Sequence, residues 1–309
     1  MQKHFADRLT DEIKKKQSAV CVGLDPRLDK IPASIITKAH KDFGSSPFKA
    51  ASESIITFNK GIIDAVFDLV PVVKPQVAFY EIFGEEGMRA YRETLDYAHE
   101  KGLLTIADVK RNDIGSTAEA YAQAFLSEVF DADSVTVNAY LGSDGVKPFI
   151  KVAAASSRGL FVLVKTSNKS SGEIQDLFVW DENTDPRNGG RPRALYEIMG
   201  HYVDSWGADE IGESGYSLVG AVVGATYPEQ AKVLREIMPN SYFLVPGYGA
   251  QGGSAKDVAP CFNKDGLGAV VNSSRGIIFA YEDSGISPDG YAEAAREAAI
   301  KMKSDLALI

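Results

Sequence analysis

Cysteine occurs only twice in the 309 residues, as Cys21 and Cys261, which excludes a disulfide framework and fits a reducing compartment. Histidine is scarce too. His4, His40, His99 and His201 form no HxH or HExxH pair, which argues against a His-rich metal site. Positive charge is in deficit, with 33 Lys and Arg against 42 Asp and Glu and a net charge of −9. An acidic chain is a poor partner for bulk nucleic acid or an anionic membrane. No stretch approaches the roughly 18 apolar residues of a membrane span. Residues 1–16 are charged and amphipathic, without the apolar centre of a signal peptide. Short repeats and low-complexity tracts are absent. What is present is a globular balance, 45% hydrophobic and 24% charged, sufficient to bury a sizeable core. Composition points to a soluble, acidic, cytoplasmic protein.

Period organises the rest. Short β-rich runs at 19–24, 72–77, 103–109, 134–138, 160–166, 218–226, 242–246 and 269–273 are mostly apolar at odd and even positions alike, as parallel strands buried on both faces require. Helical patterns lie between and after them, at 52–69, 84–101, 116–130, 145–155, 193–206, 228–238 and 291–305. Roughly eight βα units in one chain predict a (β/α)8 TIM barrel as a single domain over 1–309, preceded by a helix carrying Phe5, Leu9 and Ile13 on one stripe. A doubly wound sheet shares the period, but its glycine fingerprint is missing: Gly23-Leu24-Asp25-Pro26 runs into Arg27. Two connections exceed a minimal barrel. Residues 29–51 have room for an extra short helix. Residues 167–190, rich in Ser, Asn, Asp and Gly, leave the C-terminal end of a strand and read as a lid or as a surface excursion.

Charge gathers at strand ends. Along 103–110 the even positions Leu104, Ile106, Asp108 and Lys110 share a face by the two-residue period. If Leu104 and Ile106 point into the barrel, Asp108 and Lys110 line its mouth, where a carboxylate and an ammonium must pair to be buried. The alternative is a strand running into a solvated charged turn. Asp25 ends the first strand, and Lys74 is out of place in the apolar second unless it too faces the mouth. Three neighbouring strands then deliver charge to one end. After the seventh and eighth strands come Pro246-Gly247-Tyr248-Gly249-Ala250-Gln251-Gly252-Gly253 and Asn272-Ser273-Ser274-Arg275-Gly276. Either alone reads as a turn. Together, at the positions where barrels hold phosphate, they point to a phosphate site with Arg275 as a charged fork.

These motifs, with Lys165-Thr166-Ser167-Asn168 and the run from Asp108 to Thr117, occur in order on the expected strands. The set resembles the orotidine 5′-phosphate decarboxylase family, in its longer-chain branch, from about residue 19 to 278. The resemblance implies a cofactor-free, metal-free enzyme converting orotidine 5′-phosphate (OMP) to UMP and CO2 in de novo pyrimidine biosynthesis, working as a barrel homodimer. It implies Lys110 as proton donor to C6, Asp108 beside the substrate carboxylate, Lys74 holding Asp108 and contacting the ribose, and Asp25 on a ribose hydroxyl. Asp113, followed by Thr117, would enter the neighbouring subunit's site. Ser167, or Thr166 beside it, would read the pyrimidine. Pro246, Gln251, Ser274 and Arg275 would line or grip the phosphate end. Ser274 stands where many relatives carry glycine, so a backbone contact to phosphate there requires a negative φ. The chemistry fits: decarboxylation leaves negative charge at C6, which a pre-placed ammonium can stabilise and then protonate.

Two other readings fit the same residues. One is another phosphosugar decarboxylase or aldolase-like barrel, often Mg²⁺-dependent, for which no obvious set of further carboxylates stands at the strand ends. The other is a non-catalytic barrel binding a nucleotide or sugar phosphate, which would keep Gln251 and Arg275 without needing Lys110.

Overall fold

The computed structural model describes residues 3–180, 190–249 and 253–307. Eight parallel strands close into a barrel in chain order: β1 (Val20–Leu24), β2 (Val72–Pro75), β3 (Leu104–Arg111), β4 (Ser134–Val137), β5 (Gly159–Lys165), β6 (Ser217–Val223), β7 (Ser241–Val245) and β8 (Ala269–Ser273). Closure is made where β8 pairs with β1, Val20 opposite Val271 and Val22 opposite Ser273. That seam excludes the doubly wound alternative, which leaves two open edges.

The two faces of each strand feed two cores. Cys21, Val72, Leu104, Ile106, Phe161, Val222, Leu244 and Val270 pack together in the barrel interior. Their chain neighbours, among them Val22, Val73, Ala107, Val162 and Val271, pack outward against the helices. This two-sided burial is why the strands read as continuous apolar runs. Helix Phe5–Lys16 plugs the floor, adding Phe5, Leu9 and Ile13 to the interior cluster. Phe5 meets Phe161 edge to face, and a Cβ at Gly159 would fall 2.1 Å from the Phe5 ring, so the floor position demands glycine. Asp133, buried beside this plug, accepts hydrogen bonds from Arg8 and from Arg158 at 2.5 Å.

The long first connection holds a full helix, Ala33–Phe43, before the main helix Pro47–Val66 begins. In the fifth connection a short helix, Gly172–Gln175, is followed by Phe178–Val179, which pairs antiparallel with Arg193–Ala194.

Candidate active site

The strand-end charges meet at the C-terminal mouth of the barrel. Lys74 and Asp108 are buried, and Lys74 Nζ donates to Asp108 Oδ2 at 2.7 Å. Lys110 Nζ donates to the other oxygen, Oδ1, at 2.5 Å. Thr136 of β4 donates its hydroxyl to the same Oδ1 at 2.9 Å. Burial by itself would raise the Asp108 carboxyl, but the Lys74 and Lys110 ammonium groups outweigh it and hold it well below the usual carboxylate range. Burial would likewise lower Lys74, yet Asp108 and Asp25 beside it keep it above the ordinary lysine value. The result is a buried carboxylate clamped between two cations, one of which, Lys110, has a side chain 44% exposed toward the opening.

Leu104, Ile106 and Asp108 face inward as the alternation predicts, but Lys110 reaches the mouth by another route. The β3–β4 register slips between Ala107 and Arg111, and Lys110 takes a left-handed backbone with φ +45°. The backbone N–H groups of Val109 and Lys110 both donate to Thr136 Oγ1, at 2.9 and 3.0 Å. That hydroxyl has two lone pairs and one proton, so with both lone pairs taken its proton goes to Asp108. A β-bulge pinned by Thr136 therefore aims Lys110. Thr136 was within reach of the sequence as the polar alternate of β4; its partners were not.

Below the opening lies a cavity of about 550 Å³ walled by Lys74, Asp108, Lys110 and Thr136 on one side. Thr166, Ser167 and Pro246, all expected at the site, contribute to its walls. So do Asn138, Gln175, Tyr196 and Met199, which sequence reasoning did not single out; the last two come from helix Leu195–Gly207, outside every motif. The fifth connection thus lines the cavity with Thr166, Ser167, Asn168, Ile174 and Gln175, while 181–189 of the expected loop lie outside the described residues.

The other expected residues that the structure describes stand outside these walls. Asp25 follows β1 with Oδ1 buried and without a hydrogen-bond partner among the described residues. Arg275 is exposed at the start of helix Arg275–Ile278, directly after β8, and Ser274 caps that helix with φ −102°. The negative φ meets the condition set by a serine at this position. Asp113 accepts the Ile114 N–H at 2.8 Å, and Thr117 is exposed on helix Gly115–Leu126; neither lines this chain's cavity. Gln251 lies outside the described residues. Among the described residues no group of three or more His, Cys, Asp and Glu is gathered to hold a metal ion, and no helix is long and apolar enough to cross a membrane.

Comparison with known proteins follows the same lines. The model of the orotidine 5′-phosphate decarboxylase / HUMPS family matches residues 18–285. Orotidine 5′-phosphate decarboxylase of Clostridium perfringens is 40% identical over 305 residues, 98% of either chain. The structure of Leishmania donovani OMP decarboxylase superimposes with a TM-score of 0.72 at 29% identity, over 97% of this chain and 99% of that one. Leishmania donovani UMP synthase superimposes with a TM-score of 0.74 at 30% identity, and this chain spans only 57% of its length.

Proposed function

The chain belongs to the orotidine 5′-phosphate decarboxylase / HUMPS family, and on that premise we propose that it is a carboxy-lyase of pyrimidine biosynthesis that turns OMP into UMP and CO2 within one barrel domain, using no cofactor and protonating C6 from Lys110. The observation that carries this reading is the chain Lys74–Asp108–Lys110 at the rim of the cavity, its first two members buried and its third partly open to solvent.

The chemistry runs through these groups. The bond from C6 to the carboxylate carbon breaks, CO2 leaves, and the electron pair remains at C6. The Lys110 ammonium, fixed beforehand by Asp108 and the bulge, stabilises that charge without reorganising. It then gives its proton to C6 and regains one from solvent, to which it is partly open. Asp108, held ionised, stands beside the departing carboxylate and favours its loss as neutral CO2. Lys74 keeps Asp108 charged and, with Asp25, faces the ribose. Thr166 and Ser167 read the pyrimidine. Gln251 and Arg275 grip the phosphate, with Pro246 and Ser274 beside the substrate, and the phosphate's remote binding energy supports closure around the reacting carbon. Asp113 and Thr117, which do not line their own chain's cavity, serve the site of a second copy in a homodimer.

Release of CO2 from OMP by the purified protein in excess EDTA tests the whole reading. Turnover that survives chelation is the expected result. Loss of turnover restored by Mg²⁺ would point to a metal-dependent phosphosugar barrel, and UMP binding without any CO2 release to a nucleotide-binding barrel.

A further inference from the structure

Lys165 ends β5, where the chain leaves the barrel for the cavity wall, and it is buried completely. An ammonium group is rarely buried whole unless partners replace its water. Here Nζ donates to Asp176 Oδ1 at 2.7 Å and to Ser171 Oγ at 3.3 Å, and lies 4.3 Å above the Tyr227 ring. Lys165 does not line the cavity, although Val164 before it and Thr166 after it do. The β5–β6 register slips at this point, Leu163 opposite Val222 and Lys165 opposite Val223. That irregularity lets the lysine turn beneath the connection instead of into the site.

The connection above it is a closed structure. Gln175 folds back onto Thr166, its Oε1 accepting the Thr166 N–H at 2.9 Å and its Nε2 donating to Thr166 Oγ1 at 2.8 Å. Tyr227 donates its hydroxyl to the Asn168 carbonyl at 3.3 Å and accepts from Ser171 Oγ at 3.3 Å. Thr166, Ser167, Asn168, Ile174 and Gln175 present the resulting wall to the cavity. Lys165 stands at one end of this loop and Asp176 at the other, so their ion pair closes it, and closing a loop lowers the entropy lost when a ligand must order it.

We propose that Lys165 is a positioning residue: with Asp176 it latches the segment Thr166–Gln175 into the wall that receives the base of the substrate, without touching the substrate itself. The role rests on the reading of this cavity as a pyrimidine nucleotide site. It differs from the roles of Lys74 and Lys110, which face the reacting atoms.

Lys165→Met and Asp176→Asn test it. Methionine suits a slot between Tyr196 and Tyr227, and Asp176, 41% exposed, can turn its carboxylate to water when its partner is lost, so Lys165→Met is expected to fold. Asp176→Asn leaves the buried ammonium without its counter-charge and is expected to lose stability, although its amide oxygen can still accept from Lys165 Nζ. Hydrogen exchange of the amides at 166–176 is expected to quicken about tenfold in each variant while the barrel strands keep their protection. Affinity for UMP is expected to fall about tenfold, affinity for ribose 5-phosphate to stay unchanged, and KM for OMP to rise with kcat nearly constant. The double variant is expected to match Lys165→Met, in which the latch is already broken and no buried charge is left unpaired. Wild-type exchange at 166–176 in both variants overturns the latch, whether or not the protein turns over OMP. Equal losses for UMP and ribose 5-phosphate overturn its base-directed role. Faster exchange in a protein whose wild type neither binds UMP nor releases CO2 keeps the latch and overturns the nucleotide reading instead.

Discussion

Gly23 and Ser274 face each other across the seam between β1 and β8 with no room for one more carbon. A methyl group at position 23 would lie 1.9 Å from Ser274 Oγ, 2.8 Å from its Cβ and 3.1 Å from Asn272 Oδ1. Ser274 is thus accommodated by a glycine on the neighbouring strand, and its own φ of −102° needs no glycine.

Gly23→Ala is therefore expected to push Ser274 and the start of helix Arg275–Ile278 out of place. Overpacking of this kind costs about 1–3 kcal/mol, and UMP affinity should fall alongside stability. Adding Ser274→Gly removes both clashing atoms and should recover most of the loss, a coupling of about 0.5–3 kcal/mol between the two sites. Urea unfolding and UMP titration of the four chains check it; simple additivity would show that the two positions are independent.

Lys110→Ala should abolish decarboxylation while leaving circular dichroism unchanged, since the side chain is partly exposed and its removal leaves no cavity in the core. Lys110→Gly should be equally inactive but more stable than the alanine variant, because a left-handed backbone costs an L-residue roughly 1–2 kcal/mol, offset in part by glycine's freedom when unfolded. Turnover of either variant within about tenfold of wild type would remove Lys110 from the chemistry.

Mixing two inactive variants tests whether sites are shared. With Lys110 taken from one chain and Asp113 from the other, a dimer of Lys110→Ala and Asp113→Ala chains carries both lesions in one site and none in the other. Random exchange makes about half of the dimers mixed, so roughly a quarter of wild-type activity per total site is expected. Exchanged mixtures as inactive as each parent would assign Asp113 to its own chain, as a local cap on the Ile114 N–H.

Asp133 ties the floor of the barrel to the N-terminal helix, and it supplies a pH signature. Burial would raise its carboxyl, but hydrogen bonding from His99 and the charge and hydrogen bond of Arg8 hold it well below the usual carboxylate range. A carboxyl depressed in the folded state stabilises it above the unfolded value of about 3.9, and that contribution is lost as pH falls through the folded value. Asp133→Asn leaves Arg8 without its carboxylate partner and should cost about 3–5 kcal/mol at pH 7. The gap between wild type and variant should narrow steadily below about pH 4. A gap independent of pH in denaturant titrations would show that packing, not charge, is what the substitution removes.

Much of this was written in the sequence. The eight apolar runs each became a strand within a few residues, because a strand buried on both faces must be apolar throughout. That Leu104, Ile106 and Asp108 share one face followed from the two-residue period, and the structure turned that face inward.

Lys110 marks where that logic stops. It belongs to the same alternation by count, yet it reaches Asp108 through a left-handed turn and a register slip pinned by Thr136, 26 residues away along the chain. Bulges are properties of strand pairing, so neither strand's residues contain one separately. Lys165 shows the same limit from the other side: its place beside the site's motifs was legible, but the slip at β5–β6 turned it away from the cavity and onto Asp176. The match of Gly23 to Ser274 needs the seam between the first and last strands, which exists only once the barrel has closed. Sequence by itself determined which residues could be buried and at which strand ends charge would gather, since both depend on period and polarity. Tertiary structure decided which of those charges touch, because contact between strands depends on register, and register is set by the packing of the whole barrel.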